Sequence, residues 1–258
     1  MGQDSRAMID IITVRGTGEP MNGPGNMLTN VVEHLDPWRF RTIGDCPFPG
    51  TVGPVGAGVD GPSVRRNIDI GLASAVAMVR ASPNLVGIIG YSLGALIVTA
   101  LRELQAQGLY LDCELAFSAC VANPKRRAGD SIDPNPHGYG ITGERADFLP
   151  NVPHFEAANP ADIITSSSAG SPLRAVADGM AAFSAAELGE WSLDMAGRFR
   201  SQRFQPVSLD WWRRPVQTWQ VYDEAGRGII GYLDRTAHII EYVRGGYCAR
   251  LADRINMT

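Results

Sequence analysis

Ser92 lies in Gly90-Tyr91-Ser92-Leu93-Gly94, a G-x-S-x-G pentapeptide set between the apolar run Leu85 to Ile89 and apolar residues recurring at Leu93, Leu96, Ile97, Ala100, Leu101 and Leu104 before Gly108. The run has the length of a buried strand and the recurrence is helical, so the pentapeptide is the sharp turn of a strand-turn-helix unit. Strand and helix pass closest at Gly90 and Gly94, where no side chain fits, and the strained turn lifts the serine hydroxyl clear of the sheet edge. The helix points its positive N-terminal end, with the Leu93 N–H, at the place where a tetrahedral oxyanion would form. Such an arrangement suits nucleophilic attack on a carbonyl carbon, with Ser92 as the nucleophile.

A serine hydroxyl needs a base, and the base needs an orienting acid. The histidines are His34, His137, His154 and His238. In α/β-hydrolase sheets the chain order is serine, acid, histidine, which excludes His34. His154 falls inside a predicted strand, and His137 sits in a loop dense in Pro and Gly with little to fix its orientation. His238, beside Ile239 and Ile240 and just ahead of a closing helix, is the best candidate for the general base; the alternative is a satisfied structural histidine. The acid must stand at a strand end between Ser92 and His238. Asp162, in the turn Asn159-Pro160-Ala161-Asp162, fits best. Asp130, Asp133 and Asp147 belong to an irregular loop, and Asp178, Asp194 and Asp210 to a later helical segment, where they cap helices or face solvent.

The elements that must position these groups follow from the hydrophobic pattern. Met8 to Val14 reads as the first buried strand and ends in Arg15-Gly16-Thr17-Gly18-Glu19-Pro20. Thr17 could offer a backbone N–H and a hydroxyl as the second oxyanion donor, although the same loop reads equally as a plain strand-end turn. Residues 44 to 62 are dense in Gly and Pro and read as a loop near the mouth of the site. Ser63 caps a helix with Val64, Ile68, Leu72, Ala75, Val76 and Val79 on its apolar face, closed by Ser82-Pro83. Cys113 to Ala122 is a further buried strand, Lys125 to Pro153 a long loop, and Pro153 to Ala158 a last short strand.

Strands alternating with helices define an α/β protein with a mainly parallel sheet, whose ligand site lies at the carboxyl edge. Ser92 and Asp162 both fall at that edge. Residues 166 to 235 depart from the alternation. Ser171-Pro172 starts a helix with Leu173, Val176, Met180 and Phe183 at helical spacing, a second helix covers roughly 185 to 199, and Trp191, Trp211, Trp212 and Trp219 all lie here. The segment reads as a helical cap subdomain inserted into a core made of 1–165 and 236–258. Its aromatic residues suit a lipophilic substrate, but giving a small subdomain its own core is the favoured reading.

A chain of 258 residues that is 45% hydrophobic can bury one sizeable core. A net charge of -4 with no basic block argues against a nucleic-acid partner, and Lys125-Arg126-Arg127 reads as a solvated loop. The glycines at 16, 18, 23 and 25 make no dinucleotide fingerprint, because the third glycine of G-x-G-x-x-G would fall at Met21, and without a Gly-Lys pair there is no P-loop. Cys46, Cys113, Cys120 and Cys248 form no C-x-x-C pair, so the expectation is packed thiols with neither zinc nor a disulfide scaffold, and no cofactor. The N-terminus shows no basic region followed by an apolar stretch, and no apolar run reaches about 18 residues, so neither an export signal nor a membrane anchor is expected.

Arg15-Gly16-Thr17 after the first strand, Gly90-Tyr91-Ser92-Leu93-Gly94, Ala161-Asp162-Ile163-Ile164 and Ala237-His238 together resemble the cutinase-like serine esterases, and within them the lysin B mycolylarabinogalactan esterases of actinobacteriophages. Order and surroundings match over most of the chain, and the strand-end Asn123-Pro124 also resembles the lysin B pattern. Cutinases place acid and histidine close together and brace the acid's loop with a disulfide. Here a long insert separates Asp162 from His238, and Thr165 stands where the cysteine would be. Both departures favour lysin B, whose helical linker subdomain interrupts the fold at this point. Two further differences are Leu93, in place of the glutamine often seen after the nucleophile, and Arg15, where some lysin B proteins have histidine. The resemblance implies an α/β-hydrolase fold of the cutinase-like kind, a catalytic set of Ser92, Asp162 and His238, and oxyanion donors at Leu93 and Thr17. It further implies a lipid ester substrate, mycolyl-arabinogalactan, with no stable membrane insertion, and accumulation in the host cytoplasm before release to the cell envelope.

Overall fold

The computed structural model describes residues 7–51, 64–134, 137–171, 174 and 236–258. Apolar and β-branched segments build the sheet. β1 (Ile9–Val14), β3 (Val86–Tyr91) and β4 (Leu115–Val121) lie at its centre, and β2 (Phe40–Asp45) and β5 (His154–Ala157) at its edges. The order among the described residues is β2-β1-β3-β4-β5, and every pairing is parallel. A parallel sheet is buried on both faces, which is why its central strands read as near-continuous apolar runs.

One face is covered by α2 (Val64–Ala81) and α3 (Leu93–Ala106), which pack Ala75, Val79, Ile97 and Leu101 against Ile12, Val14 and Ile88. The other is covered by α1 (Thr29–Val32) and α5 (Tyr247–Asn256), with Leu251, Ala252 and Ile255 against Ile11, Ile89 and Phe117. A π-helical turn (Thr236–Ile240) and α4 (Glu241–Arg244) lead into α5. The result is three layers, helix on sheet on helix, with the strands' carboxyl ends collected along one edge. This is the α/β class with a parallel sheet that the alternation predicts.

The strands expected from Met8, Leu85, Cys113 and Pro153 and the helix after Ser92 all form, with ends displaced by a few residues. β2 corrects the expectation of a loop from residue 44, because Gly44 and Asp45 pair with Ile12 and Thr13 of β1. The strand carries no apolar alternation, since Arg41, Thr42 and Ile43 of this edge strand are exposed. Its end is fixed instead by polar bonds: the Asp45 carboxylate accepts the Thr13 hydroxyl at 2.6 Å, the Asn26 amide at 2.7 Å and the Asn22 N–H at 3.1 Å.

The Ser63 cap, most of the Gly/Pro loop beyond Thr51, and the inserted subdomain apart from residues 166–171 and Arg174 lie outside the described residues. The four cysteines are buried free thiols. Among the described residues, no helix is long and apolar enough to cross a membrane.

Candidate active site

Ser92 follows the last residue of β3 directly and precedes the first residue of α3. Its backbone sits at φ 50 and ψ -111, a conformation that costs a side-chain-bearing residue roughly 1–3 kcal/mol. The strain persists because the surroundings leave the chain no alternative. A Cβ on Gly94 would stand 1.9 Å from the Val14 carbonyl oxygen, and one on Gly90 2.6 Å from the Gly94 carbonyl oxygen. Helix α3 therefore rests on the end of β1, and the turn is held to β4 by the Ser92 N–H donating to the Val121 carbonyl at 3.0 Å.

The turn delivers Ser92 Oγ to within 3.0 Å of His238 Nε2, and His238 Nδ1 lies 2.9 Å from Asp162 Oδ2. A carboxylate only accepts, so Nδ1 carries the ring proton and Nε2 is left to accept from the serine hydroxyl. Asp162 is 1% exposed, which shields the pair from solvent and ions. Its second oxygen accepts the Ile164 N–H at 3.0 Å, and its carbonyl accepts the N–H of Ser166 at 2.8 Å, so a tight turn beyond β5 fixes the carboxylate.

Two tyrosines, neither of them among the expected site residues, complete the frame. The Tyr91 ring stacks on the His238 imidazole, centroids 5.4 Å apart, and its hydroxyl donates to the His238 carbonyl at 2.8 Å. Tyr242 donates to Asp162 Oδ2 at 3.0 Å and accepts the Asn159 N–H at 3.1 Å. Asn159 in turn donates its amide to the Ala237 carbonyl at 2.8 Å, so the acid's turn and the histidine's turn are tied through backbone as well. Burial and the adjacent Asp162 charge push the Tyr242 hydroxyl well above its ordinary range, so it stays protonated and donates. Tyr242 was legible in principle, because it stands four residues after His238 on helical backbone, and residues so spaced share a face.

The first-strand loop lies against the elbow through the contact of Gly94 with Val14 and Arg15. The N–H groups flanking Thr17 are both taken, Gly16 by Glu19 Oε2 at 2.7 Å and Gly18 by the Gly50 carbonyl at 2.8 Å. Among the described residues the N–H groups of Thr17 and Leu93 have no hydrogen-bond partner. Glu19 also accepts the Met27 N–H at 2.8 Å and so clamps the loop from within. Burial raises the Glu19 carboxyl above the usual carboxylate range, against the pull of these two N–H groups. Arg15 is buried, not turned to a substrate: its guanidinium donates to the Phe48 carbonyl at 2.6 Å and lies over the Phe48 ring.

The other histidines and acids are elsewhere. His34 lies in the turn just beyond α1 with its ring against the Asn30 carbonyl, and His154 is packed between Ser118 and Glu156. Asp130, Asp133 and Asp147 pair with Arg145, Arg250 and Arg127. Asp178, Asp194 and Asp210 lie outside the described residues.

No family model and no curated protein matches the chain. Among solved structures it is similar to lysin B from Mycobacteriophage D29, at 18% identity and a TM-score of 0.47 over 94% of this chain and 98% of that one. It is similar also to an acetylxylan esterase, at 18% identity and a TM-score of 0.45 over 60% of this chain and 85% of that one. A cutinase-like protein from Cryptococcus sp. aligns at 15% identity and a TM-score of 0.38, over 60% and 79%.

Proposed function

We propose that this protein is a serine esterase, a carboxylic ester hydrolase that works through an acyl-enzyme. The observation that carries the reading is the unbroken hydrogen-bonded series from Ser92 Oγ through His238 to Asp162. In the proposed reaction Ser92 Oγ attacks the ester carbonyl carbon while His238 Nε2 removes its proton. Asp162 holds the imidazole in the productive tautomer and stabilises the imidazolium. The carbonyl oxygen, now an anion, is received by the N–H groups of Leu93 and Thr17. His238 then protonates the leaving alkoxide, and water repeats the sequence on the acyl-enzyme, returning Ser92 and releasing the acid.

The finer reading is an ester between mycolic acids and arabinogalactan, cleaved from the cell envelope during phage lysis. Its support is the motif set of Arg15-Gly16-Thr17, Gly90 to Gly94, Asn123-Pro124, Ala161 to Ile164 and Ala237-His238, together with the long insert between acid and histidine. On this reading residues 166 to 235 are the linker subdomain, and the enzyme reaches the envelope once the inner membrane is breached.

The experiment compares wild type and Ser92→Ala, each checked for folding by circular dichroism, on p-nitrophenyl butyrate and on purified mycolyl-arabinogalactan. A loss of roughly a thousandfold or more in turnover with the fold retained is expected. Equal activity in both proteins would end the esterase reading. Wild-type turnover of the short ester without release of mycolic acid would restrict the enzyme to soluble esters of the cutinase kind. Wall binding unaffected by Ser92→Ala, in a wild type without esterase activity, would make the chain a lipid-binding module.

A further inference from the structure

On the sheet face covered by α3, on the strands next to the one that carries the serine, β4 and β5 present a second group of chemically capable side chains. Parallel pairing sets Ser118 opposite His154 and Cys120 opposite Glu156, and the alternation of side chains puts all four on one face. One potential ligand atom from each of Cys120, His154 and Glu156 lies within 4.8 Å of the other two. We propose that these three residues bind one divalent cation of the zinc class.

Four observations support the site. A thiol, an imidazole and a carboxylate are the donor set that zinc takes, and three protein ligands with an open fourth position form a stable arrangement. The His154 Nδ1 atom is engaged by the Ser118 hydroxyl at 2.9 Å, which leaves Nε2 on the Glu156 side, 2.9 Å from Oε1. The Glu156 Oε1 atom is also held by the Asn123 amide at 2.8 Å, while Oε2, buried, has no partner. Outer contacts of this kind, a hydroxyl on the far imidazole nitrogen and an amide on the carboxylate, are what orient the ligands of metal sites. Finally, His154 and Glu156 line a cleft of about 490 Å³ at the β5 edge, together with Asp130, Arg145 and Arg254, so two of the three ligands border open space.

Zinc ligands at their usual bond lengths lie roughly 3.3–3.8 Å apart in a tetrahedron. His154 Nε2 and Glu156 Oε1, 2.9 Å apart, would open by a few tenths of an ångström, and the thiol makes the main adjustment. Coordination replaces the S–H bond of Cys120 by a metal–sulfur bond and releases that proton to solvent, while the ring proton that His154 Nε2 directs at Glu156 is given up in exchange for one on Nδ1, where the Ser118 oxygen accepts it; no electron is transferred. The ion would cross-link β4 to the edge strand β5, whose far end leads to Asp162.

Cobalt(II) is the direct probe, because a thiolate ligand gives it an intense charge-transfer absorption in the near ultraviolet, whereas oxygen and nitrogen ligands do not. The full chain, stripped with chelator and titrated with Co²⁺, should take up one ion per chain with that band, and Zn²⁺ should displace it. Affinity should fall at least a hundredfold in Cys120→Ser, with loss of the band, and at least a hundredfold in Glu156→Gln. Ser118→Ala should lose about ten- to a hundredfold. Ser92→Ala should bind as the wild type does, which keeps this outcome separate from that of the esterase assay. A wild type that shows no charge-transfer band at saturating Co²⁺, or affinity unchanged in folded Cys120→Ser or Glu156→Gln, would overturn the proposal. The band is read in the wild type itself, so a variant that fails to fold leaves the test intact.

Discussion

The Tyr242 hydroxyl donates to Asp162 Oδ2, the same oxygen that receives His238 Nδ1. Asp162 is thus held by three donors, the third being the Ile164 N–H on Oδ1. Removing the hydroxyl in Tyr242→Phe strips one donor from the carboxylate and leaves the buried Asn159 N–H without its acceptor. A buried group left unpaired costs about 1–3 kcal/mol. The expected outcome is that loss in urea denaturation and a fall of about tenfold in kcat with KM nearly unchanged, because the tyrosine touches the acid and not the substrate. Unchanged kcat would reduce Tyr242 to a packing residue.

Asp162→Asn keeps the shape of the side chain but offers His238 Nδ1 an amide in place of a charge. The imidazole then favours the wrong tautomer and the imidazolium loses its partner. In Ser-His-Asp hydrolases the change lowers kcat by about ten-thousandfold, and a loss of that order is expected here. A loss of less than tenfold, measured on a short nitrophenyl ester with folding verified, would place the orienting acid elsewhere.

Glu19→Gln tests the loop that carries Thr17. Glutamine retains one acceptor oxygen, so either Gly16 or Met27 loses its carboxylate partner and the loop loosens. A drop of about five- to fiftyfold in kcat with little change in KM is expected, as for a donor that acts on the transition state.

The contribution of Glu19 to the pH dependence of stability carries the opposite sign from that of an ion-paired carboxylate. Burial raises the folded-state value of Glu19 above its ordinary 4.5. Between the two values Glu19 is more protonated in the folded protein than in the unfolded chain, so its contribution to stability falls as pH rises through this window and levels off above it. Glutamine does not titrate. The stability of Glu19→Gln relative to wild type should therefore rise across the same window in urea melts. A relative stability that falls there would mean that the two N–H bonds outweigh burial.

Gly94→Ala addresses the elbow. The added methyl would fall 1.9 Å from the Val14 carbonyl oxygen, a backbone atom that cannot turn away. Overpacking of this kind costs about 1–3 kcal/mol where side chains can adjust, and a loss of at least about 3 kcal/mol is expected where backbone blocks the way. A change under 1 kcal/mol would show that α3 can slide along β1.

The amino-acid order alone determined the serine elbow, since two glycines, an apolar run before them and helical spacing after them are local features within about 25 residues of chain. It also narrowed the candidates for base and acid to His238 and Asp162, by chain order and by the irregular context of the others. It did not reveal β2, whose only signal is pairing with β1, nor Glu19 and Tyr91, whose roles depend on which backbone atoms lie beside them. Tertiary structure alone decided that Ser92 and His238, separated by 146 positions, stand 3.0 Å apart, that Arg15 is buried as a clamp, and that Cys120 and Glu156 share a face of neighbouring strands. The physical reason is one of range: helical and strand periodicity is written every two to four residues, whereas strand order and the meeting of distant side chains are set by how the whole apolar surface is buried at once.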